Sequence, residues 1–581
     1  MRILATLAAI AISFLPAFAQ RADDPAANAV VGSDTRFHPV VGVSGMVSAE
    51  ERTAATVGAE ILKQGGNAVD AAVATGFALA VTHPQAGNLG GGGFMVIALP
   101  KASKTIALDY REMAPKAATR DMFLDASGNV DTGKARFSRS AAGVPGSVAG
   151  LVLALEKYGT LPLATVMAPA IKLAEEGFPI PPGLAFALNQ ARARFDKDPS
   201  SVAYFEKPGK EPFRAGDILK QADLAVTLRA IADKGRAGFY EGDTAAKIVA
   251  EMKDGGLITL DDLKSYRVVE RTPVRGTYNG YDIVSMPPPS SGGAHVIQIL
   301  NILEGYDLVS SGPNSADTLH KLIEAARRAY ADRAKYMGDP DFVKVPLDGI
   351  VSKAYAAKLR AGIDLSNASR SEDIQAGEPP REGEQTTHYS VMDKDGNTVS
   401  ATTTLNFFFG SGYSVDGAGF LLNNEMDDFS AKPGVANAYG LLGDEANAIQ
   451  PGKRPLSSMA PTIVLKDGLP VLATGSPGGS TIITVVVQHL LNVLTFGMNI
   501  AEATAEPRIH HQWMPDNVIA ERGVPLDTLR ALENRGFKIA KTAQGAFQYR
   551  ILGRVNAVMR KDGILLGAAD QRANDSAAVG F

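Results

Sequence analysis

Residues 386–406 read TTHYSVMDKDGNTVSATTTLN. Two β-rich runs, 388–392 and 398–406, flank Asp393-Lys394-Asp395-Gly396-Asn397, and Asp-Gly between such runs is the strongest short-range hairpin signal. With Asp395-Gly396 as a two-residue turn, Thr387 faces Thr404 and Thr386 faces Leu405. Thr386 then begins a strand at its open end, within reach of Thr404, with Asn406 on the face of Thr404 two residues on. Thr pairs are ordinary in strands. This pair draws interest because a polar connector enters the hairpin through Gln385. A cut between Gln385 and Thr386 would expose an α-amine with an unperturbed pKa of about 8, able to take the proton of the Thr386 hydroxyl.

Outward from this hairpin, the same grammar recurs. Runs 462–465 and 470–474 flank Lys466-Asp467-Gly468, and runs 555–559 and 564–568 flank Lys561-Asp562-Gly563. Residues 94–99 and 105–111 read as a further strand pair joined by 100–104. Between these, small apolar residues recur at helical spacing over 49–83, interrupted by Gly65-Gly66-Asn67, with 68–79 tightly buried. Residues 150–265 are mostly helical, with loops at 177–182 and 196–212. Pro287-Pro288-Pro289-Ser290-Ser291-Gly292-Gly293 leads into a helix, and 317–337 is a long amphipathic helix capped by Asp317. Residues 363–384 lack periodicity and read as an exposed, mobile connector. Antiparallel hairpins covered by helices predict one α/β sandwich with helical insertions.

Composition narrows the chemistry. The 581 residues include 58 Lys+Arg against 62 Asp+Glu, a formal charge of −4, and no Cys. No basic footprint for nucleic acid is present. Without cysteine there are no disulfides, thiolate metal sites or thiol nucleophiles, so covalent chemistry falls to Ser, Thr, Lys or a carboxylate. Residues 1–19, MRILATLAAIAISFLPAFA, have the basic start, apolar stretch and Ala17-Phe18-Ala19 ending of a cleaved secretory signal peptide, too short to span a membrane. The mature protein is expected to be exported, periplasmic or secreted, with no stable membrane anchor.

Two further groups could serve a hydroxyl nucleophile. Thr474-Gly475-Ser476-Pro477-Gly478-Gly479-Ser480 follows a strand and precedes the apolar run 481–494. Glycines at a helix start can bring N–H groups to a developing oxyanion. The stretch lacks the spacing of a phosphate loop. Gly90-Gly91-Gly92-Gly93 reads instead as a packing feature ahead of a strand. Glu425, Asp427 and Asp428 could hold an ammonium, while Arg111, Ser457 and Ser458 could hold a carboxylate.

These residues fall in motifs. Thr386-Thr387-His388-Tyr389-Ser390-Val391, Asn423-Asn424-Glu425-Met426-Asp427-Asp428-Phe429, Arg454-Pro455-Leu456-Ser457-Ser458-Met459 and Gly475-Ser476-Pro477-Gly478-Gly479 resemble gamma-glutamyltransferases. Gly65-Gly66-Asn67-Ala68-Val69-Asp70-Ala71-Ala72, His83-Pro84-Gln85-Ala86-Gly87-Asn88 and Asp109-Tyr110-Arg111-Glu112 extend the likeness, in order, over nearly all of the chain. The resemblance implies an N-terminal-nucleophile hydrolase with a four-layered αββα core. It implies cleavage after Gln385, so that residues 20–385 become a large subunit and residues 386–581 a small one, paired in one fold. Thr386 would then attack the γ-amide of a substrate such as glutathione, and water, an amino acid or a peptide would accept the glutamyl group. By matching positions, Thr404 would hydrogen-bond the nucleophile, and Gly478 and Gly479 would supply the oxyanion N–H groups. Arg111, Ser457 and Ser458 would bind the substrate α-carboxylate, and Asn406, Glu425 and Asp428 its α-amine. Residues 433–444, with Tyr439, match a loop that many members fold over the site. No metal or cofactor is implied.

One departure is Phe407-Phe408-Phe409, with Tyr413 beyond, where familiar bacterial members carry smaller polar residues before a single Phe. The rings either line the mouth or pack inside. The nearest alternative function is a cephalosporin (glutaryl) acylase with the same nucleophile and another acyl pocket. A non-catalytic binding protein would need neither Gln385-Thr386 nor the Gly478-Gly479 turn. No G-x-S-x-G elbow and no H-E-x-x-H motif occurs, which disfavours serine and metal hydrolysis.

Overall fold

The computed structural model describes residues 35–374, 386–432, 434, 435, 437, 441 and 443–581. The leader at 1–19, Gln385 and Tyr439 lie outside the described residues.

In chain order the main strands are β1 (Val40–Gly42), β2 (Gly45–Ala49), β3 (Gly92–Leu99), β4 (Lys104–Tyr110), β5 (Val269–Arg271), β6 (Val274–Tyr278) and β7 (Tyr281–Ser285). They continue with β8 (Thr387–Asp393), β9 (Thr398–Thr404), β10 (Thr462–Lys466), β11 (Leu469–Thr474), β12 (Asn556–Lys561), β13 (Ile564–Ala569) and β14 (Ala577–Gly580). They form two seven-stranded sheets, ordered β1-β13-β12-β11-β10-β7-β6 and β14-β2-β8-β9-β3-β4-β5. The two Asp-Gly hairpins β10–β11 and β12–β13 adjoin in the first sheet, while β8–β9 takes the middle of the second.

Helices cover both outer faces. Over the second sheet lie α1 (Arg52–Lys63), α2 (Ala68–Thr82) and α3 (Ser147–Tyr158), sharing one apolar core with it. Over the first lie α4 (Gly292–Leu303), α5 (Ala316–Tyr336) and α6 (Ile482–Leu494), sharing another. The layers are therefore αββα, as expected. Helix α2 is buried on every side, which its Ala-rich sequence permits, and Asn67 and Asp70 close a capping box at its start. The α1–α2 approach is set by Gly58, where a Cβ would lie 2.2 Å from Thr75 Oγ1.

The space between the sheets changes character along β8. At one end Met46, Val96, Met392, Ile463 and Val558 make an apolar cluster. Toward Thr386 the inward residues become polar, and serines donate across the gap to carbonyls of the other sheet. Ser390 Oγ reaches Asn556 O at 3.0 Å, Ser400 Oγ reaches Thr474 O at 3.0 Å and Ser48 Oγ reaches Ala568 O at 2.8 Å. Buried hydroxyls satisfied in this way cost little and pin the sheets' relative position.

The β8–β9 register differs by one residue from the sequence expectation. Thr387 pairs with Thr403 and Met392 with Thr398. The loop contains three residues, 394–396, closed by Asp393 N–H to Asn397 O at 3.1 Å, with Gly396 at φ +85°. Such loops place a glycine in the left-handed region at their third position. Asp393 Oδ1 favours this turn by accepting the N–H groups of Asp395 at 2.9 Å and Asn397 at 3.0 Å. One step past the Thr387–Thr403 pair, Thr386 comes opposite Thr404, and not Leu405.

Two other expectations are corrected. Helix α5 is capped by Ser315, whose Oγ accepts the Thr318 N–H at 3.1 Å, and Asp317 sits in the first turn. The connector, expected to be exposed and mobile from residue 363, is exposed at 364–367, 370, 372 and 373 but anchored at its described end. Trp513, the sole tryptophan, donates Nε1–H to Ser371 O at 2.9 Å and to Ile374 O at 3.0 Å. Ser371 Oγ in turn donates to Asp516 Oδ1 at 2.8 Å. Trp513→Phe is expected to lower stability by about 1–3 kcal/mol through the two carbonyls it leaves unpaired. Denaturant unfolding measures the loss, and protease cutting near residue 374 should quicken in parallel.

Candidate active site

The first residue ahead of β8 is Thr386, 4% exposed, at the polar end of the inter-sheet gap. It shares a cleft with Thr404, Arg111, Glu425, Asp428, Ser457, Ser458 and Gly479, so most residues predicted from sequence converge. Arg333, Leu441, Met459 and Ile482 complete the lining. The space between them is about 20 Å³, room for about one water. Thr404 Oγ1 accepts the Asn406 N–H at 2.8 Å, which turns its O–H away from Asn406. Asn406 itself is buried behind the cleft wall with Nδ2–H donated to Asn424 O at 2.9 Å.

Beneath Thr386 on the same face of β8 lies His388. Its Nδ1 bonds Thr402 Oγ1 at 2.8 Å and its Nε2 bonds Ser390 Oγ at 3.0 Å. Burial lowers its pKa to about 3, so the ring is neutral and structural rather than a base. The glycine-rich turn rests directly on this ring, since a Cβ on Gly475 would stand 2.4 Å from His388 Cε1. Farther along, Gly478 has φ +135°, a conformation reserved for glycine, and Gly479 φ +52°, in the left-handed region that favours it. A short 3₁₀ turn, Gly479–Thr481, then starts α6, giving the N-terminal end of a helix beside Thr386.

Arg111, at the end of β4, is 1% exposed and donates Nη1–H to Glu425 and Nη2–H to Asp428. It also reaches Pro455 O at 3.2 Å and Leu456 O at 3.3 Å, which locks it against the Ser457-Ser458 segment. Glu112 lies 3.6 Å away. Burial opposes the Arg111 charge, but the three carboxyl groups outweigh it and raise its pKa. The same burial raises Glu425 and Asp428, and pushes Glu112 up to about 7, against the pull of Arg111. Among the described residues, neither Glu112 oxygen nor Glu425 Oε2 has a hydrogen-bond partner. One guanidinium thus faces three carboxyls, whose neutral forms burial favours.

Sequence reasoning missed Arg333, Glu112 and His388 as participants. Glu112 and His388 stood inside recognised motifs without a role, and Arg333 was one of several cations on α5. The aromatic departure resolves by position. Phe409 packs in the core, edge-on to Phe195 at 5.1 Å. Phe407 lies 5.8 Å from Phe137, and Arg554 covers Phe408 at 5.7 Å, both half-buried outside the cleft lining. Tyr413 stacks under Arg139 at 4.2 Å. In the segment matched to a covering loop, Leu441 lines the cleft and Asn437 Nδ2–H reaches Asp428 Oδ1 at 3.3 Å. Asp427, read with the acids, turns instead to Arg136 at 3.1 Å.

An αββα sandwich with a threonine at the head of a central strand and a glycine turn beside it is the architecture of N-terminal-nucleophile hydrolases. A sequence profile described as gamma-glutamyltranspeptidase matches residues 54–580, and the chain belongs to that family. The glutathione hydrolase proenzyme of Escherichia coli (strain K12) is 54% identical over 549 residues, covering 94% of this chain and 93% of the relative. That of Pseudomonas sp. (strain A14) is 49% identical, covering 94% and 95%. The crystal structure of cephalosporin acylase from Bacillus halodurans superposes with a TM-score of 0.82 at 30% identity, covering 95% of this chain and 98% of that one. Among the described residues, no helix is long and apolar enough to cross a membrane.

The seating of the glycine turn on His388 is directly testable. Gly475→Ala should destabilise the fold by about 1–3 kcal/mol and depress turnover, because the ring cannot yield without breaking its two hydrogen bonds. The double variant Gly475→Ala/His388→Ser should recover part of both losses in thermal melts and rate measurements.

Proposed function

We propose that the chain is a self-processing glutathione hydrolase and gamma-glutamyltransferase. The observation that carries this reading is the charge pattern beside Thr386. A buried cluster of three carboxyls stands next to hydroxyls and two arginines, complementary to the ammonium and carboxylate of one α-amino acid. In the precursor, Thr386 Oγ1 attacks the Gln385 carbonyl and its proton passes to the Thr386 nitrogen as the Gln385–Thr386 C–N bond breaks, which frees the amine and leaves an ester. Water then cleaves that ester, restoring the Thr386 hydroxyl and separating residues 20–385 from 386–581. In the mature enzyme that amine accepts the hydroxyl proton as Oγ1 attacks the γ-amide carbon. The oxyanion is held by the N–H groups of Gly478 and Gly479. The proton passes to the leaving amine as the C–N bond breaks, leaving a γ-glutamyl ester on Thr386. Water, an amino acid or a peptide then takes the glutamyl group.

In this reading the substrate enters the Arg111–Glu425–Asp428 cluster as a zwitterion. Its carboxylate takes over Arg111 with Ser457 and Ser458, and its ammonium takes over Glu425 and Asp428 with Asn406. Tyr439 and its loop border the bound group. The N-terminal leader would make the enzyme an exported one.

Thr386→Ala is expected to run as one uncut chain and to lose turnover of a γ-glutamyl anilide, whereas the wild type yields two fragments, the smaller starting at Thr386 by N-terminal sequencing. An active, uncut alanine variant overturns the reading. A second expectation follows from Glu112. Its carboxyl is raised by burial to about 7, so it ionises as pH rises through that value and the cluster gains a charge that attracts an ammonium. Affinity for glutamate as product inhibitor should strengthen through that range, and Glu112→Gln should flatten the profile. The TM-score to the acylase keeps one competing function in play. Faster turnover of a glutaryl anilide, which lacks the α-amine, than of the γ-glutamyl one would favour the acylase.

A further inference from the structure

Arg333 projects from α5 into the cleft wall and is 3% exposed. Its Nε–H goes to Ser291 Oγ at 2.8 Å and its Nη2–H to Ser458 Oγ at 3.0 Å. It forms no ion pair with a carboxylate among the described residues, and Asp428 acts on it only through space. Burial pulls its pKa down to about 10, which leaves it charged at neutral pH. A buried cation without a carboxylate partner is costly, and structural needs alone would be met by a neutral donor.

The direction of its hydrogen bonds gives it a use. A guanidinium has donors only, so Ser458 Oγ must accept from it, and the Ser458 proton is turned elsewhere. Ser457 is placed likewise, because its Oγ accepts the Met459 N–H at 3.1 Å. Both hydroxyls lie in the cleft lining as donors. Arg111 is occupied by Glu425 and Asp428, so Arg333 is the cation of the cleft left uncompensated. An acceptor with negative charge is what this corner selects.

We propose that Arg333 is a positioning residue for the substrate's α-carboxylate, acting by aiming the Ser458 hydroxyl into the cleft and by supplying the balancing positive charge. The inference rests on the amino-acid reading of the site above. It distinguishes Arg333 from a residue that merely braces α5 against the Ser457-Ser458 segment, since bracing would serve every acyl group equally.

The test uses full-length, processed enzyme and two anilides. The γ-glutamyl anilide carries the α-carboxylate, and the 4-aminobutyryl anilide keeps the amine but lacks it. Arg333→Met should lower kcat/KM for the γ-glutamyl substrate about 10- to 100-fold, mainly through KM, as expected for lost hydrogen bonds to a charged group. For the 4-aminobutyryl substrate it should change kcat/KM by less than about twofold. Arg333→Lys keeps the charge without the planar fork and should show a smaller loss with the same selectivity. If the methionine variant does not fold or process, the lysine variant decides alone. Ser458→Ala should cost less in an Arg333→Met background than in wild type, because one residue acts through the other. Equal losses on both anilides, or no loss on the γ-glutamyl one, overturn the proposal. Wild-type enzyme that cleaves glutaryl but not γ-glutamyl anilide overturns the amino-acid reading instead, and Arg333 is then judged by the same ratio between glutaryl and butyryl anilides.

Discussion

A three-residue turn at 394–396 sets the register of the β8–β9 hairpin, and the site is assembled on that register. Side chains alternate along a strand, so a slip of one residue would send Thr386 and Thr404 to opposite faces of the sheet. With Asp393 Oδ1 gripping the turn, the two threonines come opposite one another, on the side that looks into the gap between the sheets. Strand β8 is paired on both sides, with β2 and with β9, so its first residue cannot shift without unzipping the middle of a seven-stranded sheet. The serine-to-carbonyl bonds across the gap then hold β11, which runs into the glycine turn, over His388. Thr386 and the glycine turn are thereby carried on two different sheets and positioned by one buried polar seam.

Charge is arranged as deliberately as register. Three carboxyls and one guanidinium share a buried corner, and a second guanidinium, Arg333, donates to the hydroxyls of Ser291 and Ser458. Each group is costly to bury alone, and the Arg111 pairs to Glu425 and Asp428 offset part of that cost. In the proposed binding mode, a zwitterion would exchange the ion pairs Arg111–Glu425 and Arg111–Asp428 for pairs of its own. A neutral acyl group offers no such exchange, and this is why the arrangement bears on specificity as well as on affinity.

Much of this was legible before any coordinates. Alternating β-rich runs around Asp-Gly marked the hairpins, Ala-rich helical spacing marked α2 as a core helix, and motif positions brought together Thr386, Thr404, Arg111, Glu425, Asp428, Ser457, Ser458 and Gly479. What escaped shares one physical cause. The hairpin loop length depends on an Asp393 side-chain hydrogen bond, and the cap of α5 depends on Ser315 rather than the acid two residues later. The anchoring of 371–374 depends on Trp513, about 140 positions along the chain. Each is decided by a contact that local periodicity does not encode.

The sequence alone marked an α/β sandwich, four of its hairpins and its main helices, and narrowed any covalent chemistry to Ser, Thr, Lys or a carboxylate, because patterning, turn residues and the absence of cysteine are properties of the chain itself. Tertiary structure decided which residue faces Thr386, why Gly475 carries no side chain, and which ring of the Phe407-Phe408-Phe409 run enters the core. It also singled out Arg333 among the cations of α5. Those outcomes depend on distances between segments far apart in the chain, and on burial, which turns an ordinary hydroxyl or arginine into a directed donor.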